Sequence, residues 1–305
     1  MQAEIFKQKL IQKIRQNNGK ITIIADKDGV LCLPHGKIEP LNEIMDIVKA
    51  GVIFVIISGA NIDRAEKETI EPLMEHTKDS IENRKYLKDI PLIMNNGASI
   101  YLFDTEIDKY KCVYKADIKK NVGEQSIAKV LDILRETRDK FPEIMEIKNR
   151  YPEIKQINNE ETQIVFRILG KIKHDELRKT YDPHGEKRKT WAEYIKKRFD
   201  EQGIELNISV DGTSSINILL PGINKGSGID QLAKILNIPK SALMYLGDNF
   251  HEKHNDRIAV ENRIDLAVNF GRDVKDNIEG VTLINSAEKG PPSAKVYLKM
   301  IHDLL

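Results

Sequence analysis

The sequence of 305 residues contains few cysteines, no long apolar run and no excess of charge of one sign. Its two cysteines, Cys32 and Cys112, fit no metal-binding spacing and are too few for a disulfide framework, so we expect a reducing cytoplasm. No stretch approaches the roughly 18 apolar residues that a membrane-spanning helix needs. The first 20 residues are charged and amphipathic and do not resemble a secretory signal.

Charge is nearly balanced, with 48 Lys and Arg against 47 Asp and Glu, and the formal net charge is +1. Proteins that bind nucleic acid or anionic membranes usually carry a basic surplus, so we expect neither partner. The 40% hydrophobic content suffices for the core of one large domain or two ordinary ones. We expect a monomer or a homodimer.

The most informative stretch is an apolar run, residues 21–24, that ends in two aspartates and a glycine. A short apolar run before glycine is typical of a buried strand that ends in a turn. Side chains two apart on a strand share a face, so Asp26 and Asp28 can enter one cleft, where a hard cation such as Mg2+ would offset their repulsion. An ordinary turn remains the alternative. An EF-hand loop is excluded because Val30 and Leu31 occupy its fifth and sixth positions.

A second apolar run, residues 52–57, follows a predicted helix at 40–50 and ends in Ser58. The first run, this helix and the second run together form a βαβ unit, in which the two parallel strands end at the same edge of the sheet. We therefore expect Ser58 near the two aspartates, where ligands of open α/β sheets bind. A predicted helix over 61–76 would follow it and could hold an anion at its N-terminus. The alternative for Ser58 is a helix cap or turn residue.

The remaining pattern predicts a split core with an insertion. Further core strands are expected at 91–94, 99–103, 242–246, 266–268 and 281–284, and core helices at 3–16, 228–236 and 293–304. The middle of the chain predicts helices at 124–140 and 190–202 and strands near 144–147, 162–169, 204–210 and 215–220. This is an α/β protein: a three-layer, Rossmann-like core with a parallel sheet (1–111 and 221–305) and an inserted α+β domain of αββαββ order (112–220).

Four motifs occur in the order that is typical of the haloacid dehalogenase (HAD) superfamily. They are Asp26-x-Asp28-Gly29, Ser58, Lys225, and Gly247-Asp248 with Asn255-Asp256. The chain resembles that superfamily over nearly its whole length. The inserted domain between Ser58 and Lys225 resembles the type IIB cap of phosphomannomutase, sucrose phosphatase and trehalose-phosphate phosphatase.

The chain departs from the usual type II pattern in one motif. Six residues separate Asp248 from Asn255, a spacing that resembles phosphomannomutases, as does Ser215-Ile-Asn217 ten residues before Lys225. The mutase pattern, however, has an acidic residue where this chain has Asn217, and glycines where it has Lys253 and His254. In addition, Val30 stands where the Asp-x-Asp-Gly motif is usually followed by Thr. Mutase activity is therefore the alternative to phosphatase activity.

The resemblance implies the following roles. Asp26 is the nucleophile that forms an aspartyl-phosphate, and Asp28 is the general acid and base. Ser58 and Lys225 hold phosphoryl oxygens, Lys225 also offsets the negative charge around Asp26, and the neighbouring positive charge keeps Asp26 ionised at neutral pH. Mg2+ is bound by Asp26, the backbone carbonyl of Asp28, and Asp248, with Asp256 in or near the ligand set.

Other polar residues are assigned by weaker signals. We expect substrate contacts from Gly59, Asn96, Gly97, Arg167, Ser215, Asn217, Asn249 and Asn255, with a surface charge as the alternative for Arg167. His251-Glu-Lys-His254 is one residue short of a zinc motif and is interpreted as a loop. Lys187-Arg188-Lys189 is expected to be a solvated helix start, with a contact to the substrate phosphate as the alternative. Trp191 is expected to be a core residue, with a sugar platform as the alternative.

These observations predict a Mg2+-dependent phosphatase that acts on a small phosphomonoester, such as a sugar or polyol phosphate. A phosphohexomutase of the phosphomannomutase type and a non-catalytic sugar-phosphate-binding protein remain alternatives.

Overall fold

The computed structural model describes residues 2–170, 177, 180–211, 214–252 and 254–305. The chain forms two compact units: unit 1 comprises Met1–Lys115 and Ile223–Leu305, and unit 2 comprises Ala116–Gly222. Unit 2 is inserted into the sequence of unit 1, so the first unit is built from both ends of the chain.

Unit 1 is a mixed α/β unit around one large sheet. Its strands are β1 (Thr22–Asp26), β2 (Ile53–Ile57), β3 (Leu92–Met94), β4 (Ser99–Asp104) and β5 (Lys109–Lys115), and, after unit 2, β10 (Leu243–Gly247), β11 (Leu266–Asn269) and β12 (Thr282–Asn285). Its helices are α1 (Gln2–Gln16), α2 (Leu41–Lys49), α3 (Ile62–Ala65), α4 (Glu71–His76), α5 (Ile81–Arg84), α9 (Lys225–Leu236), α10 (Asn255–Val260) and α11 (Pro291–His302).

The sheet of unit 1 has the order β12-β11-β10-β1-β2-β3-β4-β5. The strands from β12 to β3 are parallel, and β4 and β5 add an antiparallel edge. Both faces are covered, as parallel sheets require. Successive residues of β1 alternate between the two faces: Ile23 packs in the cluster that includes residues of α1, α2 and α11, whereas Ile24 packs with residues of α9 and α10. This three-layer α/β architecture is the predicted one.

The predicted helix over 61–76 is continuous but irregular. A π-helical turn, Glu66–Ile70, separates α3 from α4. Pro72 lies just after this turn and has no N–H, so it cannot donate to the carbonyl of Glu68 as a regular helix requires. The N–H of Ile38 donates to that carbonyl instead, at 3.0 Å.

Unit 2 is a four-stranded antiparallel sheet with its own core. The sheet has the order β6 (Ile157–Asn159), β7 (Ile164–Arg167), β9 (Ser215–Leu219) and β8 (Asn207–Asp211). Its helices include α6 (Ile118–Lys140), α7 (Pro142–Arg150) and α8 (Glu186–Glu201). Ile164, Ile216 and Trp191 share one hydrophobic cluster, so helices cover one face of the sheet.

One predicted element of unit 2 is wrong. The sequence pattern predicts a strand at residues 144–147, but these residues lie in α7. Pro142 occupies the first turn of this helix, where its missing N–H costs nothing. Ile144 and Ile147 are both buried, which fits a helical face because residues three apart lie on the same side.

Within the described ranges, every helix is too short or too polar to cross a membrane. The longest of them, α6, has 23 residues and many charges.

Candidate active site

Asp26 is the last residue of β1, and β1 lies between β2 and β10 at the centre of the sheet. In the parallel register, Asp26 is level with Ile57, and Ala25 is level with Leu246. Ser58 and Asp248 therefore leave the sheet at the same edge as Asp26. The prediction that the ends of β1 and β2 meet follows from parallel pairing and is confirmed by the register.

Three carboxylates and one ammonium group form the centre of the site. One carboxylate oxygen each from Asp26, Asp248 and Asp256 lie within 4.8 Å of one another. The ammonium of Lys225 lies 2.7 Å from Oδ2 of Asp26 and 2.8 Å from Oδ1 of Asp256. Lys225 begins α9, where Asn224 and Ser227 form a capping box that fixes the helix start. The sequence predicted all four residues of this centre.

Asp256 is held rigidly at the base of the site. Its Oδ2 accepts the backbone N–H groups of Asp248 and Asn249 at 2.9 and 3.0 Å, and its Oδ1 accepts the hydroxyl of Tyr245 at 2.7 Å. Tyr245, on β10, was not identified from the sequence. Its position in an apolar strand marked it only as a core residue.

The charges of the centre do not cancel. Burial raises the pKa of Asp26 well above its ordinary value, and although Lys225 opposes this rise, Asp256 and Asp248 add to it. Lys225 is thus the one group of this centre that favours the ionised form of Asp26, and the two neighbouring carboxylates oppose it. Burial, together with the charge of Asp256, also raises the pKa of Asp248 to about 7.

This donor set fits a hard divalent cation. Three carboxylates beside one ammonium leave two negative charges in excess when all are ionised, and such a buried excess is costly without a cation. The ligand atoms are oxygens, which Mg2+ prefers.

Gly29 leaves room for Asp248. A Cβ on Gly29 would lie 2.1 Å from Oδ2 of Asp248, and the φ of Gly29 is +86°. The same motif therefore supplies the two aspartates and the space into which the third enters. Gly271 makes a similar approach, because a Cβ there would lie 1.6 Å from the backbone oxygen of Asp248.

The side chain of Asp28 lies among cations beside the three-carboxylate centre. Its Oδ1 accepts the ammonium of Lys27 at 2.8 Å and the N–H of His35 at 3.0 Å. The guanidinium Nη2 of Arg64 lies 3.1 and 3.0 Å from its two oxygens. Burial by itself would raise the pKa of Asp28, but Arg64 and Lys27 outweigh it and hold that pKa below its ordinary value.

Sequence reasoning missed Lys27, Arg64 and Glu68. Lys27 is fully buried, and its ammonium lies 2.7 Å from Glu68. Arg64 also contacts Glu68, at 2.8 Å through its Nε. The one available signal was the i,i+4 spacing of Arg64 and Glu68 on a predicted helix directly after Ser58.

Ser58 and the predicted substrate residues Gly59, Asn96 and Gly97 lie together at the edge of the sheet. The hydroxyl of Ser58 accepts the N–H of Ala60 at 3.1 Å. The N–H of Asn96 donates to the carbonyl of Ser58, and a Cβ on Gly59 would lie 2.9 Å from Oδ1 of Asn96. A Cβ on Gly97 would lie 2.1 Å from the carbonyl oxygen of Asn224. This contact joins the loop to the residue that caps α9.

Asn249 and Asn255 lie at the two ends of the segment between β10 and α10. Asn255 begins α10, and Nδ2 of Asn249 lies 3.0 Å from Nδ1 of His254. Among the described residues, the group with metal-ligand geometry is the aspartate cluster. Lys253 lies outside the described residues.

The remaining predicted substrate residues lie in unit 2. Arg167 and Ser215 are paired across β7 and β9, and Asn217 pairs with Val165. Nη2 of Arg167 lies 3.8 Å from Glu160. Arg167, Ser215 and Asn217 share the face opposite to Ile216 and Ile218, which pack in the core of unit 2.

The expected solvated helix start at Lys187-Arg188-Lys189 is partly wrong. Lys187 and Lys189 are exposed, but Arg188 is buried, and its Nε donates to Asp182 at 2.8 Å. Trp191 is buried in the core of unit 2, as expected, and its Nε1 donates to Glu143.

The family model of haloacid dehalogenase-like hydrolases matches residues 23–256. A comparison with curated proteins finds no match. Among solved structures, the N-terminally truncated IMP-nucleotidase of Plasmodium falciparum is similar, with a TM-score of 0.61 and 18% identity over 97% of this chain and 73% of that one. The chain spans 65% of a second form of that enzyme.

Two smaller structures are similar over nearly their whole length. The trehalose-6-phosphate phosphatase of Aspergillus fumigatus has a TM-score of 0.54 and 13% identity, with 97% of each chain covered. TM0651 from Thermotoga maritima has a TM-score of 0.56 and 14% identity, over 92% of this chain and 97% of that one. At such identities the likeness establishes the fold.

Proposed function

The chain belongs to the haloacid dehalogenase-like hydrolase family, and we propose that it is a Mg2+-dependent phosphatase that hydrolyses a small phosphomonoester. The observation that carries this proposal is the arrangement of Asp26, Asp248 and Asp256 around the ammonium of Lys225. Phosphoryl transfer requires a nucleophile, a neutralising cation and a proton carrier, and all three types of group are present in unit 1.

In this proposal Asp26 attacks phosphorus and forms an aspartyl-phosphate. Lys225 and Ser58 hold phosphoryl oxygens. Asp28, which must first be protonated against the opposing charges of Arg64 and Lys27, gives a proton to the leaving alkoxide and then takes one from the hydrolytic water. Asp26, Asp248, the Asp28 carbonyl and Asp256 would hold Mg2+. When bound, the cation offsets the charge that accumulates between the nucleophile and the phosphate.

The substrate class is a sugar or polyol phosphate, and the similar structures add IMP and trehalose 6-phosphate as probes. Unit 2 would supply specificity through Arg167, Ser215 and Asn217. The proposal also places the protein in the cytoplasm as a monomer or homodimer. Its partner is a small molecule, with no nucleic acid or membrane partner.

Phosphate release from a panel of these esters, with and without Mg2+, tests the proposal. We expect Mg2+-dependent release that Asp26→Asn abolishes and that Asp276→Asn, at an exposed position of unit 1, leaves intact. No release from any ester, or full activity in Asp26→Asn, would overturn the proposal. A phosphohexomutase, which the Asp248–Asn255 spacing favours, would interconvert hexose phosphates without net release once a hexose bisphosphate is added. A binding protein would show ligand-induced thermal stabilisation without turnover.

A further inference from the structure

The segment that follows Ser58 is attached to the loop after β1 through both backbone and side chain. Pro72 leaves the carbonyl of Glu68 without its helical donor, and the N–H of Ile38 donates to that carbonyl at 3.0 Å. The carboxylate of Glu68 lies 2.7 Å from the ammonium of Lys27. The π-helical turn therefore places Glu68 against the motif that contains the two aspartates.

Arg64 extends this attachment to Asp28. Its Nε donates to both oxygens of Glu68 at 2.8 Å, and its Nη2 contacts both oxygens of Asp28. Lys27 contacts the same two carboxylates from the buried side. Two cations and two carboxylates thus form a closed group in which charges alternate and balance. Of the two cations, Arg64 is partly exposed, whereas Lys27 is fully buried.

The Arg64 guanidinium holds Glu68 on Nε and Asp28 on Nη2, so its planar geometry fixes the two carboxylates relative to each other, which the compact, freely rotating ammonium of a lysine does not. We propose that Arg64 is a positioning residue for Asp28, and that it holds the carboxylate in the orientation from which Asp28 accepts a proton from the hydrolytic water. This proposal rests on the proposed function.

In the step concerned, the water oxygen forms a bond to the phosphorus of the aspartyl-phosphate and one water proton passes to Asp28. The bond between phosphorus and the Asp26 oxygen breaks, which releases inorganic phosphate and returns the Asp26 carboxylate. The first half of the reaction, with p-nitrophenyl phosphate as substrate, needs no proton donor because p-nitrophenolate is a good leaving group. Loss of Arg64 should therefore slow the second half and leave the first intact.

The experiment compares Arg64→Met with the unaltered protein in the steady state and by rapid quench, with p-nitrophenyl phosphate and Mg2+. We expect kcat to fall about tenfold while kcat/KM stays within about twofold, since kcat/KM reports only the steps up to release of p-nitrophenolate. The decay of the phosphorylated protein should slow by the same factor, and the burst of p-nitrophenolate should approach one per site. Arg64→Lys, which keeps the charge without the fork, should lie between the two.

Arg198→Met is the matched control. The Arg198 side chain is as exposed as that of Arg64, 27% against 28%, and pairs with Glu136 at 3.0 Å in unit 2. We expect it to change neither kcat nor the decay rate. An equal fall of kcat and kcat/KM in both Arg64 variants, or an unchanged decay rate, would overturn the positioning role while the proposed function stands. Absence of turnover in the unaltered protein on every ester would overturn both.

Discussion

Gly29 and Asp248 approach each other so closely that a methyl group on Gly29 would lie 2.1 Å from the Asp248 carboxylate. Gly29→Ala therefore has two effects, strain at a φ of +86° and displacement of a carboxylate of the candidate metal site. We expect it to lower stability by about 2 kcal/mol or more and to abolish the rise in melting temperature on addition of Mg2+.

Gly51→Ala separates these two effects, because Gly51 has a φ of +89° and no atom lies within 4 Å of the position that the new methyl group would take. Gly51→Ala should lower the free energy of unfolding by only about 1 kcal/mol, and the melting temperature should still rise on addition of Mg2+. Equal Mg2+ responses in the two variants would contradict the crowding argument.

Lys225→Met leaves Asp26 and Asp256 without their shared cation. Removal of one partner from a buried ion pair costs about 3–5 kcal/mol, and loss of a charge-stabilising donor slows catalysis by about 10²–10³-fold. Urea denaturation and phosphate release measure the two effects. Lys13→Met is the control, since Lys13 is also buried and ion-paired, but its partner is Asp265, which is not a residue of the candidate site. It should lose stability and retain turnover per folded molecule.

The raised pKa of Asp248 predicts a pH-dependent response to Mg2+. A carboxyl whose folded pKa is about 7 contributes stability to the metal-free protein that is complete below about pH 4 and is lost as the pH rises through 7. Mg2+ binds the ionised form, so below pH 7 it must displace a proton. The melting temperature should therefore rise more on addition of Mg2+ at pH 8 than at pH 6, with roughly tenfold weaker binding at pH 6. An equal rise at both pH values would contradict this prediction.

The buried pair Asp182–Arg188 makes a separate stability prediction for unit 2. Burial opposes ionisation of Asp182, but the Arg188 side chain and two backbone N–H groups outweigh it and lower the pKa of Asp182. The contribution of Asp182 to the free energy of unfolding is therefore complete above its pKa in the unfolded chain, about 4. It is lost as the pH falls through the lower pKa of the folded state.

Asp182→Asn should lower the free energy of unfolding by about 3 kcal/mol at pH 7 and at pH 5, and by less at pH 3. Trp191 is the single tryptophan and lies in this core, so its fluorescence reports the unfolding of unit 2 in urea. Asp200→Asn, which breaks an exposed pair with Lys196, should cost under about 0.5 kcal/mol. A cost for Asp182→Asn that does not change between pH 7 and pH 3 would contradict the argument.

The centre of the site was predictable from the sequence because it depends on strand ends. Continuous apolar runs indicated parallel strands, and parallel strands bring Asp26 and Ser58 to one edge without any knowledge of side-chain packing. The family resemblance then added Lys225, Asp248 and Asp256.

The surroundings of Asp28 were not predictable in this way. Asp28 lies beyond the end of β1, where strand alternation no longer fixes the direction of a side chain. The contact of Glu68 with Lys27 depends on a helix irregularity at Pro72 and on a partner, Ile38, that is distant in sequence. Likewise, the apolar residues of 144–147 fit both the helical and the strand periodicity, and only the packing of α7 decides between helix and strand.

The position of β1 between β2 and β10 has a consequence for synthesis of the chain. Residues 22–25 pair with residues 243–246, more than two hundred positions later. During translation, β1 therefore lacks one of its neighbouring strands until all of unit 2 has been made, whereas the sheet of unit 2 lies in one continuous segment. Contacts of such long range form late, so the nascent chain acquires its cation site only after Asp248 and Asp256 have been synthesised.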